Sequence, residues 1–463
     1  MTLDELLQKL PKVVKIPNAR EQIQKRNREL GNKVVVLDDD PTGCQTVSEV
    51  QLFLDWENMN IKNALEEDCF FILTNTRAYP EGEAIRINRE IAQRLLWCAT
   101  EREKVRLVSR SDSTLRGHFY AETVTLLDTL GPFDGVIVAP YFKEGGRLTV
   151  FDTHYLLSGR EMIEVSKTEY SKDPVFGFQS AHLPTWIEEK SRGTWKKDKV
   201  VSISIEDIRV GGPEKVYSKL TDFDGFRPVV VNSLCDEDLE IFVLGLIEAE
   251  RKRRRFLYRT AASFVKVRAG IPDRDLFIPP YGQRGLIVVG SYTRLTTIQV
   301  NDLLEKFGLK HIEIKIAPIF SNRNHDYAQE IARQIDYFLS CNESVVVFTE
   351  RSYAFPESNP QEQLQKAQAV SSFLVNVVRN VKKKPDFFVA KGGITSYDLA
   401  KKALCARKAV VLGQIAPGVP VWKLDEDSKY PGLIYIVFPG NVGDKNTLSF
   451  IYNLFVNPRG YKT

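Results

Sequence analysis

The sequence predicts an α/β protein of two domains, each built on a largely parallel sheet flanked by helices. Short apolar runs rich in β-branched residues recur along the chain, and each leads into a polar or glycine-rich loop and then into a helical pattern. Continuous apolar strands that alternate with helices are typical of a parallel sheet covered on both faces. A chain of 463 residues is also long enough for more than one hydrophobic core.

The first domain is predicted at residues 33–277, of which 158–230 are a less regular extension. A helical lead-in, residues 1–32, precedes it and is broken near Pro11 and Pro17. The apolar runs predicted as strands of this domain are Lys33–Leu37, Val105–Val108 and Gly135–Ala139.

A second set of strands begins after a connection rich in proline and glycine at residues 278–282. Because this half has its own strands and its own glycine loops, a second domain is predicted at 284–457. Its predicted strands are Leu286–Val289, Val345–Phe348, Phe387–Ala390 and Leu433–Phe438.

The composition excludes several classes of protein. Hydrophobic residues make up 43% and charged residues 27%, which argues against a disordered, collagen-like or coiled-coil chain. A net charge of +4 is too small for this length to demand a polyanionic partner. No apolar run approaches the ~18 residues of a membrane span, and Asp4 and Glu5 stand where a signal peptide carries positive charge. Six single cysteines without a C-x-x-C pair fit a reducing compartment, so we expect a cytoplasmic protein that binds neither membrane nor nucleic acid.

Two further features have structural interpretations. The basic run Arg251–Arg255 is interpreted as the end of a solvated helix that begins near Asp236, rather than as a nucleic-acid patch. The five histidines have no metal-ligand spacing, and only His118 and His154 lie close enough to polar loops to line a site.

Three consecutive aspartates, Asp38 to Asp40, follow the first strand. Their carboxylates repel one another unless a cation or hydrogen-bond donors lie among them, and such repulsion is tolerated where one carboxylate acts as a base or faces Mg²⁺. A helix cap with Pro41 at the first helical position is the structural alternative, but it needs only one aspartate. Ligands bind beyond the carboxyl ends of parallel strands, which favours a functional site here.

A second polar loop follows the strand that begins at Val105 and contains Arg110, Asp112 and Arg116. Its two guanidinium groups can bind a carboxylate or a phosphate beside an acidic acceptor for hydroxyls. The alternative is an internal Arg–Asp ion pair that stiffens the loop.

Glycine-bearing loops follow three strands of the second domain. Backbone N–H groups can surround a phosphate where no Cβ intervenes, as at Gly392-Gly393 before Thr395 and Ser396. The loop Gly440–Gly443 can close over a nucleotide in the same way. Neither loop matches a Walker or Rossmann fingerprint, and a tight strand-to-helix turn explains each equally well.

The segment from Asp38 to Thr42 also fits the D-x-D-x-T pattern of the haloacid-dehalogenase phosphatases, with Asp38 as nucleophile and Asp40 as acid/base. That family also needs a later lysine and a carboxylate pair for Mg²⁺. Lys391 and Asp386 stand in the wrong order for that role, so a phosphatase is the alternative function.

These motifs, taken together and in this order, resemble those of the four-carbon acid sugar kinases, long catalogued as a domain of unknown function. The resemblance implies an N-terminal domain that binds the sugar acid, a C-terminal domain that binds ATP with Mg²⁺, and an active site in the cleft between the domains. It also implies phosphorylation of D-threonate, D-erythronate or a 3-oxo-tetronate, usually on the terminal hydroxyl. The motifs that carry it are Asp39-Asp40-Pro41-Thr42-Gly43, Ser109–His118, Gly392-Gly393-Ile394-Thr395-Ser396, Ala416–Pro420 and Gly440–Gly443.

Carried over by position, the resemblance assigns three sets of residues and no metal ligand. The catalytic set is Asp39, Asp40 and Asp112. The set that binds the sugar acid is Asp38, Thr42, Gly43, Arg110, Ser113 and Arg116. The set that binds the nucleotide is Ser291, Gly392, Gly393, Ile394, Thr395, Gly440, Asn441 and Gly443.

The chain departs from the family pattern in two places. It has an extra N-terminal segment, and Phe438-Pro439-Gly440 stands where Lys-x-Gly is usual, which leaves the role of that lysine open. The pair Arg110 and Arg116 is more similar to the threonate-kinase branch than to the 3-oxo-tetronate branch.

The predicted mechanism is in-line phosphoryl transfer. Arg116, with Arg110, holds the substrate carboxylate, and one of the catalytic aspartates accepts the proton of the terminal hydroxyl. Mg²⁺ bridges the phosphates of ATP on the Gly392-Gly393 loop. A regulator that binds nucleotide or sugar acid without catalysis is the non-enzyme alternative. The sequence leaves open which acid is the substrate, which aspartate is the base, and whether the protein is a monomer or a homodimer.

Overall fold

A computed structural model describes residues 2–321, 324–351 and 360–457. They form two compact units, one made of the chain up to Val47 with Asn58–Asp273, the other of Ser48–Glu57 with the chain from Arg274 onward. The strands are β1 Lys33–Asp38, β2 Val50–Phe53, β3 Cys69–Leu73, β4 Val105–Arg110, β5 Gly135–Ala139, β6 Arg147–Val150, β7 Thr153–Ser158, β8 Glu161–Glu164, β9 Val201–Ile203, β10 Arg227–Val231, β11 Phe256–Thr260, β12 Gly285–Val289, β13 Lys310–Ile314, β14 Val345–Thr349, β15 Phe387–Lys391, β16 Lys408–Ala416, β17 Val419–Leu424 and β18 Ile434–Phe438. The helices are α1 Leu3–Leu7, α2 Ala19–Leu30, α3 Ile61–Ala64, α4 Glu81–Cys98, α5 Phe119–Leu130, α6 Leu183–Lys190, α7 Ile205–Arg209, α8 Gly212–Thr221, α9 Asp236–Arg251, α10 Ala262–Ala269, α11 Arg294–Phe307, α12 Ile316–Ile319, α13 Asn324–Ser340, α14 Pro360–Asn380, α15 Gly393–Asp398 and α16 Thr447–Val456.

The sheet of the first unit has the order β3-β1-β4-β11-β5-β10-β9, and its neighbouring strands are parallel. Its central strands are buried along almost their whole length, as expected when helices cover both faces. Asp38 at the end of β1 lies opposite Leu73 of β3 and Arg110 of β4. The polar segments that follow these three strands therefore meet at one edge of the sheet.

The second unit has a parallel core of strands in the order β13-β14-β12-β15-β18. Strands β17, β16 and β2 extend it with antiparallel pairs, and the predicted motif Ala416–Pro420 forms the turn of the β16–β17 hairpin. The fold class is confirmed as α/β, with mostly parallel strands at the core of each unit. The predicted range 33–277 nevertheless includes a segment of the second unit, because β2 pairs with β16 from Val50 opposite Val411 to Phe53 opposite Lys408.

The N-terminal lead-in packs on the first unit as two helices, α1 and α2. Arg20 of α2 donates to Glu240 at 2.6 Å and to Asp236 at 3.2 Å, and Asn27 donates to the carbonyl of Arg268 at 2.9 Å. A small antiparallel sheet in the order β6-β7-β8 lies mostly before the less regular segment, which contains only its last strand, β8. Within the ranges that the structure describes, no helix combines the length and the apolar character needed to cross a bilayer.

The basic run does end a helix, but the prediction of a solvated helix is wrong. Most of α9 is buried, because it packs against α8, α10 and α2. Arg254 pairs with Asp134 at 2.8 Å, and Arg255 donates to the carbonyl of Leu130 at 2.8 Å. These two arginines hold the start of β11 against the turn before β5.

Candidate active site

The three aspartates lie at the end of β1, whose last residue is Asp38. The backbone carbonyl of Asp38 accepts hydrogen bonds from the N–H groups of Thr74 and Asn75, which follow β3. The chain then turns at Asp40, whose Oδ1 accepts from the backbone N–H of Thr42 at 2.8 Å. Asp40 thus makes a local turn with Thr42, but the short helical turn Gly43–Thr46 has Thr42 at its N-cap without a side-chain cap, so the predicted helix cap with Pro41 at the first helical position is not formed.

Asp38 is fully buried and paired with Arg110, whose Nη1 lies 3.0 Å from Asp38 Oδ1. Burial, reinforced by the charges of Asp39 and Asp40, raises the pKa of Asp38 to about 7 against the attraction of Arg110. Its second oxygen, Oδ2, is buried without a hydrogen-bond partner among the described residues. Gly43 is needed beside it, because a Cβ there would lie 2.1 Å from Asp38 Oδ1.

Asp39 accepts hydrogen bonds from Ser111 Oγ at 2.8 Å and from Arg110 Nη1 at 3.3 Å. Burial raises the pKa of the Asp39 carboxyl even though guanidinium groups lie nearby. Gly117, at φ +121°, lies close to three polar groups, because an added Cβ would lie 2.8 Å from Ser111 Oγ, 3.1 Å from Asp39 Oδ2 and 3.2 Å from Arg259 Nη2. A hydroxyl, a carboxylate and a guanidinium therefore converge on this glycine.

Asp40 and Asp112 are bridged by Arg77, which follows β3. Arg77 Nη2 is paired with Asp40 Oδ2, and Nη1 lies 3.6 Å from Asp112 Oδ1. Burial acts to raise the pKa of both carboxyls, but Arg77, helped by Arg110 and Arg116, holds the pKa of each below its usual range. Arg77 therefore favours the ionised form of these two carboxyls, whereas burial raises the pKa values of their neighbours Asp38 and Asp39.

Arg116 pairs with Asp112 inside the second loop, with Nε 2.6 Å from Asp112 Oδ2, so the internal ion pair exists. Its guanidinium also lies over the ring of Tyr170, 4.9 Å from the centroid. The Arg116 side chain remains 26% exposed, whereas that of Arg110 is 5% exposed. Two guanidinium groups were predicted to hold a substrate carboxylate, and of these only that of Arg116 reaches the surface. Arg110 is buried in ion pairs with Asp38 and Asp39.

Two residues that sequence reasoning missed complete this cluster, Arg77 and Arg259. Arg259 of β11 donates to Ser109 Oγ at 2.7 Å and to Ser111 Oγ at 2.8 Å, and it pairs with Glu122 of α5. Arg77 could have been found, because it lies in a polar segment directly after a strand. Arg259 carries no such signal, since it lies inside the strand itself.

Ser113 and His154 join the second loop to β7 of the small antiparallel sheet. His154 is buried, and its Nε2 donates to the carbonyl of Ser113 at 2.7 Å while its Nδ1 accepts from Thr149 Oγ1 at 2.9 Å. Burial lowers the pKa of His154 to about 4, which agrees with a neutral ring in these contacts. Ser113, which was predicted to bind the sugar acid, therefore contacts His154 through its backbone carbonyl.

A pocket within the first unit opens next to this cluster. Its lining combines polar side chains of the cluster with apolar side chains of neighbouring elements. Its lining residues are Ser111, Asp112, Leu115, Arg116, Phe119, Val138, Pro140, Trp186, Arg259 and Thr260.

In the second unit, the loops after β12 and β18 are joined by hydroxyl groups. Thr293 Oγ1 and Thr296 Oγ1 donate to the carbonyl of Gly440 at 2.7 and 3.0 Å. Thr296 Oγ1 also lies 3.0 Å from Ser291 Oγ. A Cβ at Gly440 would lie 2.5 Å from Ser291 Oγ, so glycine allows the two loops to approach each other.

The loop after β15 lies against the same two loops. The N–H of Gly392 donates to the carbonyl of Phe438 at 2.8 Å, and Gly392 adopts φ +124°, which favours glycine. A Cβ there would lie 3.3 Å from the backbone nitrogen of Ser291. Gly393, Ile394 and Thr395 then form the first turn of α15, whose N–H groups have no acceptor within the helix.

The predicted final loop, from Gly440 to Gly443, is anchored by α11. Gln299 Nε2 donates to the carbonyls of Val442 at 3.1 Å and Asp444 at 2.7 Å. Asn441 and Gly443 are exposed, and a Cβ at Gly443 would lie 2.4 Å from Thr447 Oγ1. The backbone of this loop therefore has a defined path with its tip open to solvent.

A protein-built metal centre is not found in the described parts of the chain. There, no three or more histidine, cysteine, aspartate or glutamate side chains form a group that could hold a metal ion.

The chain matches two domain families in sequence. Residues 34–268 match a sugar-binding N-terminal domain, and residues 286–448 match a nucleotide-binding C-terminal domain. These are the domains of the four-carbon acid sugar kinases, and the chain belongs to that family. The resemblance noted in the sequence is thus confirmed.

Individual relatives are more distant. A D-erythronate kinase from Heliobacterium modesticaldum is 26% identical over 287 residues, which are 58% of this chain and 60% of the relative. The matched region thus covers less than two thirds of that relative.

Two solved structures share the fold. A Haemophilus influenzae protein of a family of unknown function has a TM-score of 0.62 at 19% identity, over 91% of this chain and 100% of its own. A Salmonella typhimurium LT2 protein, proposed to be a tRNA synthase, has a TM-score of 0.70 at 18% identity, over 91% of this chain and 99% of its own. At these identities the likeness establishes the fold alone.

Family membership argues against the dehalogenase-like phosphatase, and the structure supplies a physical reason. That mechanism requires Asp40 as an acid/base, but Arg77 holds Asp40 ionised with a lowered pKa. Asp386, considered with Lys391 for Mg²⁺, instead pairs with Arg284.

Proposed function

We propose that the protein is an ATP-dependent kinase that phosphorylates the terminal hydroxyl of a four-carbon acid sugar, D-erythronate or D-threonate. The observation that carries this proposal is the division of chemistry between the two units. Carboxylates and guanidinium groups fill the strand-end cluster of the first unit, and glycine loops with hydroxyl groups fill that of the second. Family membership and the D-erythronate kinase relative support the same reaction.

In the first unit, we assign the substrate carboxylate to Arg116, whose guanidinium is partly exposed and which lines the pocket described above. Asp39 is assigned as the acceptor of the hydroxyl proton. Its raised pKa makes it a better base than Asp40 or Asp112, whose pKa values are lowered by arginines. Asp40, Arg77 and Asp112 then form a fixed ionic support for the substrate hydroxyls.

In the second unit, the residues present fit the phosphates of ATP. Because Gly392 and Gly440 lack a Cβ, their backbone lies close to Ser291, and the hydroxyls of Ser291 and Thr293 lie beside them. Mg²⁺, when bound, would neutralise charge on the phosphates, and such ions are held largely by the phosphates and water. The protein's own contribution is to hold the phosphate chain through backbone N–H groups and hydroxyls. The proposal includes a cytoplasmic location.

The proposal is tested by measuring ADP release with Mg-ATP and, separately, D-erythronate, D-threonate, L-threonate and 3-oxo-tetronates. We expect turnover that depends on one of the first two acids and places the phosphate on its terminal oxygen, as checked by NMR of the product. ATP binding without turnover on any acid would favour the regulator. Hydrolysis of phosphorylated acids without ATP-dependent transfer would instead favour the phosphatase.

A further inference from the structure

Lys391, the last residue of β15, is fully buried between the glycine loops of the second unit. It lies directly opposite Phe438 in the parallel pair β15–β18. Its Nζ donates to the carbonyl of Pro439 at 2.6 Å and lies 3.6 Å from the centre of the Phe438 ring. The ammonium group is therefore placed beside the residue that precedes Gly440.

Lys391 differs from other buried cations of this protein in its lack of a carboxylate partner. Lys266 pairs with Asp236 and Asp273, and Arg268 pairs with Glu250. Among the described residues no carboxylate pairs with Lys391. The charged group that affects its pKa is a second cation, Arg351. Burying an unpaired charge is costly, so an anion from outside the chain would complete this arrangement.

The surroundings of Lys391 are those of the candidate nucleotide site. Its backbone carbonyl accepts from the N–H groups of Gly290 and Ser291, both at 3.1 Å, and Gly392 follows it in the chain. Arg351 reaches the same place, donating from Nη1 to the carbonyl of Ser291 at 2.5 Å. A cation at this point lies next to each of the three loops that we assign to the phosphates.

We propose that Lys391 binds a phosphate group of the nucleoside triphosphate and is the cation on which nucleotide affinity depends. This inference rests on the proposed function and adds to it a residue outside the predicted set. The ammonium group exchanges part of its contact with the carbonyl of Pro439 for a phosphate oxygen, which supplies the missing counter-charge.

The groups around Lys391 make its protonation sensitive to the ligand. Arg351 follows β14, Ser291 and the titratable Tyr292 follow β12, and β18 ends in the uncharged Phe438, with Pro439 next in the chain. Burial, with a contribution from Arg351, lowers the pKa of Lys391 to about 7, and a bound phosphate would raise it again. Below that pH the lysine is already charged; above it, ATP binding must be accompanied by proton uptake, so affinity falls as pH rises.

The test compares the wild type with Lys391→Met, Lys391→Arg and a matched control, Lys429→Met. Lys429 also donates to backbone carbonyls, those of Val378 and Arg379, lies 5.3 Å from an aromatic ring centre, and has a pKa lowered by burial. Calorimetric titration with Mg-ATP at pH 6.5 and 8.5 measures affinity, titration with adenosine isolates binding without phosphate, and thermal unfolding measures stability.

We expect Lys391→Met to weaken ATP binding at pH 6.5 at least about thirtyfold, in the range for a lost charge-assisted contact. Adenosine affinity and unfolding temperature should stay at wild-type values, because Met removes a buried charge and keeps the apolar stem. Lys391→Arg should retain ATP binding and lose the extra fall in affinity at pH 8.5, because guanidinium stays protonated. Lys429→Met should bind ATP like the wild type.

Three results would overturn the inference. If Lys391→Met bound ATP as tightly as the wild type, the lysine would not contact phosphate. If it lost ATP, adenosine and thermal stability together, its role would be to hold Pro439. If the wild type itself bound no nucleotide at either pH, the proposed function would fall along with the inference, which separates that failure from the first two.

Discussion

Each unit has a cluster of polar groups at the ends of its strands, and the two clusters differ in how their charges are arranged to bind a ligand. In the first unit, buried acids and arginines form ion pairs. Arg77 pairs with Asp40 and Asp112, and Arg110 pairs with Asp38 and Asp39. The second unit has backbone N–H groups, hydroxyls and a buried lysine without a described carboxylate partner. A cluster of paired side chains can distinguish one hydroxyl acid from another, whereas a backbone cradle with an unpaired cation suits any polyphosphate of the right shape.

This contrast teaches where each unit is sensitive to mutation. In the first cluster the charges are interdependent, so removing one member leaves its partner buried and uncompensated. In the second, space and backbone conformation matter more than side-chain identity, and glycines are the vulnerable positions. Three substitutions test this difference, apart from the experiments on substrate and on Lys391.

The largest effect is expected for Asp39→Asn, which removes the proposed base and keeps the size of the side chain. Turnover should fall by about 10²–10⁴-fold, the usual contribution of a general base, with the Kd for ATP unchanged. Steady-state kinetics and calorimetric ATP titration measure the two quantities, and Asp224→Asn on the surface is the control. If ATP affinity fell in step with turnover, the sugar acid and the nucleotide would be assigned to the wrong units.

A large loss of stability is expected for Arg77→Met, because it leaves two carboxylates without their shared cation. We expect a decrease of about 3 kcal/mol in the free energy of unfolding at pH 7, measured by urea denaturation. The matched control is Arg86→Met: Arg86 also pairs with two acids, Glu83 and Glu90, but its side chain is 47% exposed. The Arg86→Met substitution should lower the free energy of unfolding by less than about 1 kcal/mol.

The Arg77 effect should also depend on pH. The pKa values of Asp40 and Asp112 are lowered in the folded state, so their contribution to stability is present above the unfolded pKa of ~3.9 and is lost as pH falls through the folded values. The difference in the free energy of unfolding between the wild type and Arg77→Met should therefore become smaller at acidic pH. An unchanged difference at pH 3 would mean that Arg77 acts through packing and not through charge.

The smallest effect is expected for Gly392→Ala in the second cluster. Gly392 adopts φ +124°, and its Cβ would meet Thr395 and Ser291, so about 1–3 kcal/mol of strain falls on the loops that bind ATP. The KM for ATP should rise about tenfold. Gly308→Ala is the control, since Gly308 also has a positive φ, at +59°, but a Cβ there meets open space. Equal ATP affinity in both variants would show that Gly392 only shapes a turn.

The positions of several strands could be predicted because an apolar β-branched run is a local signal, whereas the order of the strands in the sheet was not predicted. Apolar runs such as Val345–Phe348 became strands within one residue of their predicted ends. The position of β2 could not be anticipated, because a four-residue strand carries no information about which sheet it joins. The burial of α9 was missed for a related reason: acidic and basic residues at its ends masked an apolar centre that several helices cover.

Among site residues, the rule that polar segments follow strands located Asp38–Asp40, Arg110–Arg116 and Gly392–Thr395, because parallel strands end at one edge of a sheet. It could not assign partners. Arg110 was expected to hold the substrate and is instead enclosed by Asp38 and Asp39. Arg259 was not expected at all, because it reaches the cluster across the sheet from β11.

The amino-acid sequence by itself determined the family, the α/β class and the chemical character of each strand-end loop, since these depend on residue type and local spacing. Only the tertiary structure decided which charges are neutralised and which are not. Asp38 and Asp40 are two positions apart, yet burial raises the pKa of one and Arg77 lowers that of the other. Lys391 and Phe438 are 47 positions apart in the chain, yet their strand register makes them neighbours. Electrostatic energies depend on distance and burial in space, and the order of residues does not specify either one.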